Sequence, residues 1–157
     1  MTDTDTTTAA DPTPTPVPFE AALVSAVLSL VTLTDASIPK RSAYDPDTDP
    51  GTGVVVAEVT AVELPNHGLN DYFFRVAVSG RTLASEDPDK TIIRTIAGDV
   101  LRSFAAMTPA AIGTALSLKA PAACVGILRD NSASVRSSGL DNIFSSEIKI
   151  VFTELTF

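Results

Sequence analysis

Cysteine and histidine, the residues that most often bind metals or attack substrates, are nearly missing from this sequence. Among 157 residues there is one cysteine, Cys124, and one histidine, His67. A single cysteine excludes an internal disulfide framework and any zinc site with several cysteine ligands. Cys124 stands among small and apolar residues, so we expect a buried and unreactive side chain. We predict no metal and no cofactor.

Positive charge is also scarce. The net charge is -8, and the 11 lysines and arginines are scattered, with none before Lys40. The sequence shows no cluster of basic residues that could bind phosphate groups, so direct recognition of a nucleic acid is not expected. An acidic surface repels the phosphate backbone, and DNA is expected to pass such a surface without binding to it.

Long apolar runs are missing as well. The run from Phe19 to Leu33 is interrupted by polar residues. It is shorter than the roughly 18 to 20 residues that span a bilayer. The segment before it is acidic and has no lysine or arginine, unlike a secretory signal. We therefore predict no membrane segment.

Motifs for catalysis are absent or incomplete. His67 and Asp71 could act as a base and its orienting carboxylate, but no nucleophile signature accompanies them. We interpret His67 as an exposed loop residue, and a small enzyme using His67 and Asp71 is the alternative. There is no phosphate-binding loop and no dinucleotide fingerprint. We predict no catalytic residues.

An acidic stretch imitates the start of a calcium-binding loop. Asp45, Asp47 and Asp49 have the right spacing. However, Pro50 stands where the sharp turn needs glycine, and Val56 stands where a bidentate glutamate belongs. We interpret the stretch as a solvated loop.

Residues 1–18 differ in composition from the rest of the chain. They contain seven threonines, four prolines and three aspartates, with almost no large apolar side chain. Such a segment cannot bury enough surface to offset the entropy of ordering. The alternation of threonine and proline from Pro12 to Pro18 favours polyproline-like extension. We predict an arm able to lie along a neighbouring subunit, followed by one domain over residues 19–157.

Hydrophobic periodicity after residue 18 predicts the order of helices and strands. An apolar stripe with helical spacing begins at Phe19, and Asp87-Pro88-Asp89 is a start signal for a second helix that reaches Met107. The other predicted strands are residues 54–64, 72–78, 124–128 and 143–155. Residues 132–142 are predicted as a polar loop, with or without a further short strand around Val135, and residues 110–120 as either a short helix or an irregular lid. The order predicts an α+β fold, with a mixed or antiparallel sheet of about four strands and the N-terminal and central helices packed on one face.

Alternation within the strands predicts which side chains share a face of the sheet. In the hairpin, one face holds Tyr72, Phe74, Val76 and Val78, and the other holds Phe73, Arg75, Ala77 and Ser79. In the last strand, one face holds Phe144, Ile148, Ile150 and Phe152, and the other holds Ser145, Glu147, Lys149 and Thr153. On the central helix, the side chains expected to face solvent are Lys90, Arg94, Asp99 and Arg102.

Phe73, Arg75 and Arg81 stand on or beside the less apolar side of the hairpin. Aromatic residues and arginine are enriched in protein interfaces. We predict these three residues as subunit contacts, with ordinary surface as the alternative for each.

The order of elements resembles the tail terminator, or tail completion, proteins of long-tailed bacteriophages. The resemblance covers most of residues 19–157, and its most characteristic stretch is Leu69-Asn-Asp-Tyr-Phe-Phe-Arg-Val-Ala-Val-Ser79. The opening helix and the long closing strand from Asn142 to Phe157 also look alike. The threonine and proline arm and the stretch from Thr108 to Ala123 depart from the pattern.

The resemblance implies a small structural subunit of a virion, without catalytic residues. Such subunits form a homomeric ring, typically a hexamer, which ends tail-tube polymerisation and joins the tail to the head connector. The partners would be further copies of this chain, the tail tube protein, and a head-connector or head-closure protein. DNA would pass through without specific binding, no membrane would be involved, and the subunit would assemble in the host cytoplasm into the tail or neck. Another neck or tail component, such as a head-closure or tail-tube-like subunit, is the alternative.

Overall fold

The computed structural model describes residues 18–44, 54–63, 71–130 and 132–155. These residues form an α+β fold with a mixed sheet, so the predicted class is confirmed. The helices are α1 (Pro18–Leu30), α2 (Thr91–Ala106) and α3 (Pro109–Ala115). The strands are β1 (Lys40–Ser42), β2 (Val54–Glu63), β3 (Tyr72–Leu83), β4 (Ala123–Arg129), β5 (Ser134–Ser138) and β6 (Asp141–Thr153).

The six strands of the described ranges lie in one sheet with the order β1-β2-β3-β6-β4, and β5 also pairs with β6. Only β1 and β2 are parallel among these pairs. β3 runs along almost the whole of one edge of β6. Therefore β4 and β5 follow each other along the other edge, β4 beside residues 148–153 and β5 beside residues 141–145.

The expected number of about four strands is too low, and β1 is the strand that the sequence pattern missed. It has 3 residues and no apolar alternation. Lys40 Nζ donates hydrogen bonds to the carbonyls of Leu28 and Val31 at the end of α1, at 2.8 and 2.6 Å. A cation is favourable at a helix C-terminus, where carbonyl groups lack partners. This contact and the parallel pairing with β2 hold β1 in the sheet.

One face of the sheet and the three described helices enclose the core. The predicted alternation is confirmed in β3 and β6, because the side chains assigned to the apolar face are buried, except Tyr72 at the start of β3, which is half-buried. Phe19, at the start of α1, packs on Phe74 and Phe152 with ring centroids 5.1 and 5.3 Å away. Tilted and edge-on ring pairs at this distance are favourable. The beginning of α1 is thereby anchored over β3 and β6.

The helix α2 begins at Thr91, later than the start signal predicts. Asp87 and Pro88 lie in the turn before it, but the carboxylate of Asp87 still accepts hydrogen bonds from the amides of Ile92 and Ile93, both at 2.9 Å. Lys90 precedes the first helical residue with a φ of 61° and makes no side-chain cap. The predicted capping role of Asp87 is confirmed, and the predicted position of Pro88 inside the helix is wrong.

Asp99 was expected to face solvent and is instead buried, with 4% of its surface exposed. Its carboxylate accepts hydrogen bonds from the amide and hydroxyl of Thr34 at 2.8 and 2.9 Å and pairs with Arg102. Burial by itself favours a higher pKa, but the hydrogen bonds from Thr34 and the contact with Arg102 outweigh it and lower the pKa. Asp99 thus ties the segment after α1 to α2.

Asp99→Asn is expected to reduce the dependence of the free energy of unfolding on pH in acid. The pKa of Asp99 in the folded protein lies below its ordinary value of 3.8. The stability from the ionised group is therefore complete above that value and is lost as the pH falls through the lower, folded pKa. Urea unfolding between pH 5 and pH 3 measures this slope. Asp130→Asn, at an exposed position, is the control, and an equal slope in both variants would contradict the assignment.

Several predicted features lie outside the described residues. These are the arm up to residue 17, the acidic loop with Asp45, Asp47 and Asp49, and the loop that contains His67. In the ranges that the structure describes, no helix has both the length and the apolar character to cross a bilayer.

Candidate functional site

The three described helices pack on the same face of the sheet, and the opposite face is covered by no described element. We call this opposite side the open face. In β3 it presents Phe73, Arg75, Ala77, Ser79 and Arg81, and in β6 it presents Ile143, Ser145, Glu147, Lys149 and Val151. All of these are half-buried except Ser145, which is exposed. Period-2 alternation of long strands is what places them together.

A network of ion pairs crosses the open face at one end. Arg75 contacts Glu63 of β2 through Nε at 2.9 Å and Glu147 of β6 through Nη1 at 3.4 Å. Lys149 Nζ contacts the other carboxylate oxygen of Glu63 at 2.8 Å, and the hydroxyl of Thr60 donates to Glu147 at 2.9 Å. The register brings these residues together, because Arg75 lies opposite Lys149 and Ala61. Three strands are thus linked by side chains.

Two members of the network, Glu63 and Arg75, have shifted pKa values. Hydrogen bonds from Lys149 and then from Arg75 lower the pKa of Glu63 below its ordinary value. The hydrogen bond and charge of Glu63, and then Glu147, raise the pKa of Arg75 further. Both shifts favour the charged forms, so Glu63 and Arg75 present a pair of opposite charges on the open face.

Phe73 lies beside this network. Lys149 Nζ stands 4.4 Å from the centre of the Phe73 ring, within the range of a cation–π contact. The structure thus brings two of the predicted contact residues, Phe73 and Arg75, to one end of the open face. A shallow depression of about 260 Å³ adjoins Arg75 and is lined in part by Leu128, which is 57% exposed.

Arg81 lies apart from that cluster. It stands opposite Ile143, and Arg81 Nη1 contacts Asp141 Oδ2 at 3.5 Å. The six-residue separation from Arg75 along β3 corresponds to about 20 Å. The three predicted contact residues therefore share a face but not a site.

Of the alternative catalytic pair, His67 and Asp71, the structure describes only Asp71. Asp71 lies half-buried just before β3, whereas His67 is outside the described residues. Within the described ranges, no group of three or more His, Cys, Asp or Glu side chains could hold a metal ion.

Cys124 is half-buried, where the sequence suggested full burial. Burial raises the pKa of its thiol, and a weak contact to the carbonyl of Gly126 at 3.9 Å offsets this only in part. The thiol lines a groove between α3 and β4.

Sequence patterns missed the partners of Arg75 in the ion-pair network. Alternation indicated that Glu147 and Lys149 share a face with each other, but the pairing of β3 with β6 and the position of Glu63 depend on strand register. No signal in a single sequence reports that register. No protein-family model matches the chain, and no curated protein sequence matches it.

Proposed function

We propose that this protein is a structural subunit of a bacteriophage tail, which forms a homomeric ring that ends the tail tube and joins the tail to the head connector. The observation that supports this most is the open face. Two long strands present an aromatic ring, aliphatic side chains and paired charges there, and no described element covers them. Aromatic residues and arginine on an uncovered surface match the composition of subunit interfaces.

A closed ring requires two different surfaces on every subunit, because each copy contacts its neighbours head to tail. The open face supplies one such surface. The outer edge of β4, with which no described strand pairs, supplies a second, with Val125 exposed by 56%. The hexameric order follows from the resemblance to tail terminators.

The charge of the chain suits a ring through which DNA passes. With a net charge of -8 on each subunit, a ring of such subunits would carry an overall negative potential. Such a ring repels phosphate groups and lets the duplex slide without specific binding. The partners at the two ends of the ring are the tail tube protein and the head-connector or head-closure protein.

The direct test is to locate the protein in assembled particles. Purified protein mixed with tail tube protein is expected to give rings at the ends of tubes in electron micrographs. A position within the tube or on the head side of the connector would assign the chain to another neck or tail component. A strictly monomeric protein at high concentration, with tube protein present, would contradict the ring.

Phe73→Ala is expected to weaken self-association about ten- to thirtyfold. Truncation of a central aromatic contact typically costs about 2 kcal/mol of binding free energy, and 1.4 kcal/mol is a factor of ten. Sedimentation velocity over a range of concentrations measures the change.

Leu140→Ala is the matched control for this experiment. It removes an apolar side chain that is 83% exposed in the turn between β5 and β6, away from Phe73. We expect wild-type association in this variant. Equal association in both variants, with unchanged folding stability, would remove the Phe73 end of the open face from the interface.

A further inference from the structure

The outer edge of β4 is open to another strand. β4 pairs with β6 on one side, and no strand in the described ranges pairs with it on the other. Val125 and Leu128 expose more than half of their surface along it. A free strand edge presents backbone donors and acceptors that an extended segment can use.

A groove lies beside this edge, between α3 and β4. Its volume is about 450 Å³, and small residues form much of its wall, including Ala110, Gly113, Thr114 and Ala122. A side chain at Gly113 would meet no atom within 4 Å, so this wall is open. Lys119 is exposed and is the one charged residue among those that line the groove.

The sequence at the end of the arm suits a strand that forms backbone hydrogen bonds along one edge only. The prolines are Pro12, Pro14 and Pro16, and the residues between them are Thr13, Thr15 and Val17. In an extended chain successive amides point to opposite edges, so all the missing donors fall on one edge and all the available donors on the other. Proline is found in edge strands in this arrangement, with its donor-free side toward solvent.

The same pattern lowers the entropy cost of binding. A residue before proline is restricted to extended conformations, and this applies to Asp11, Thr13, Thr15 and Val17. Preorganisation of this kind increases affinity because less conformational freedom is lost. Residues 1–17 also carry only acidic side chains as charges, which complements Lys119.

We propose that residues 11–17 of one subunit add as a strand to the outer edge of β4 in the neighbouring subunit, beside the groove that contains Lys119. The segment is as long as β4, which has 7 residues. The inference rests on the proposed ring and names a contact that holds it together. Because the prolines face outward, the added strand cannot recruit a further strand.

The position of α1 explains why the acceptor is a neighbour. Phe19 packs on Phe74 and Phe152, above β3 and β6. A strand added outside β4 would lie two strand spacings from β6, or about 10 Å, and about another 10 Å below the helix layer. Val17 is followed directly by Pro18, the first residue of α1. No linker residues therefore remain to connect α1 with a strand outside β4 of the same chain.

Cross-linking through Cys124 tests the proposal. Cys124 lines the groove and is the one native cysteine, so Thr15→Cys introduces a single new thiol. A short bismaleimide is expected to join Thr15→Cys subunits into a ladder of multimers on denaturing gels. Adding Cys124→Ala should abolish the ladder, and Thr4→Cys, outside the pairing segment, should give none.

Two further variants test how much the arm contributes to subunit association. Removal of residues 1–17 is expected to weaken association tenfold or more, measured by sedimentation. Lys119→Glu should lower the cross-linking yield severalfold, whereas Lys90→Glu should not.

The outcomes distinguish this inference from the proposed function. A cross-link between residue 15 and Cys124 of the same chain, with no multimers on the gel, would show that the groove binds the chain's own arm. That result would overturn the proposal. Rings that form normally without residues 1–17, and with no cross-link at Thr15→Cys, would overturn it while leaving the proposed function intact. A wild-type protein that never assembles with tube protein would overturn both.

Discussion

Gly80→Ala is expected to lower the free energy of unfolding by about 3 kcal/mol, the upper end of the usual cost of overpacking a core. Gly80 of β3 lies opposite Phe144 of β6. A Cβ atom at Gly80 would stand 2.3 Å from Phe144 Cε1. The Phe144 ring is fully buried, so it cannot move aside without displacing its neighbours. Urea denaturation measures the loss.

Gly126→Ala is the matched control for this change. Gly126 also lies in a strand, but its added Cβ would stand 3.8 Å from Val151 Cγ2, an ordinary contact. We expect a change within about 1 kcal/mol, of either sign, because alanine also restricts the unfolded chain. In the double variant Gly80→Ala/Phe144→Leu, the smaller side chain should recover part of the loss. Equal stability of Gly80→Ala and Gly126→Ala would contradict the proposed close packing.

Asp87→Ala is expected to cost about 2 to 3 kcal/mol, since it removes a helix cap and leaves buried polar groups unpaired. Asp87 is 1% exposed. Its carboxylate accepts the amides of Ile92 and Ile93 and the hydroxyl of Thr82, the last at 3.0 Å. The loss is measured by thermal and urea unfolding, with circular dichroism of the helix signal.

Asp89→Ala is the control that shows the cost of losing an exposed capping aspartate, for comparison with the buried Asp87. Asp89 is exposed and accepts one amide hydrogen bond, from Thr91 at 3.1 Å. Its loss should cost only a few tenths to about 1 kcal/mol, because water replaces an exposed partner. If the two aspartate variants proved equally stable, the buried cluster around Asp87 would have no special role.

Much of the local structure could be predicted because it depends on neighbours in sequence. The apolar spacing from Phe19 indicated α1, and β-branched residues indicated β2. Alternation assigned the two faces of β3 and β6. The boundaries moved by a few residues, as at α2, where residues 87–90 form a turn and the helix begins only at Thr91.

The candidate site could be predicted only in part. Alternation placed Phe73 and Arg75 on the open face, as observed. It could not indicate that Arg75 bridges Glu63 and Glu147, because that contact requires the register of three strands. The separation of Arg81 from the other two follows from the length of β3. Whether any of the three residues contacts another subunit stays a prediction.

The sequence by itself determined where most of the described helices and strands lie and which side chains of β3 and β6 alternate toward the core, because these depend on local periodicity and residue type. Only the tertiary structure decided that β1 belongs to the sheet, that Asp99 is buried, that Gly80 packs against Phe144, and that no described strand pairs with the outer edge of β4. Each of these depends on groups far apart in the chain, whose distances are set when the sheet and helices pack.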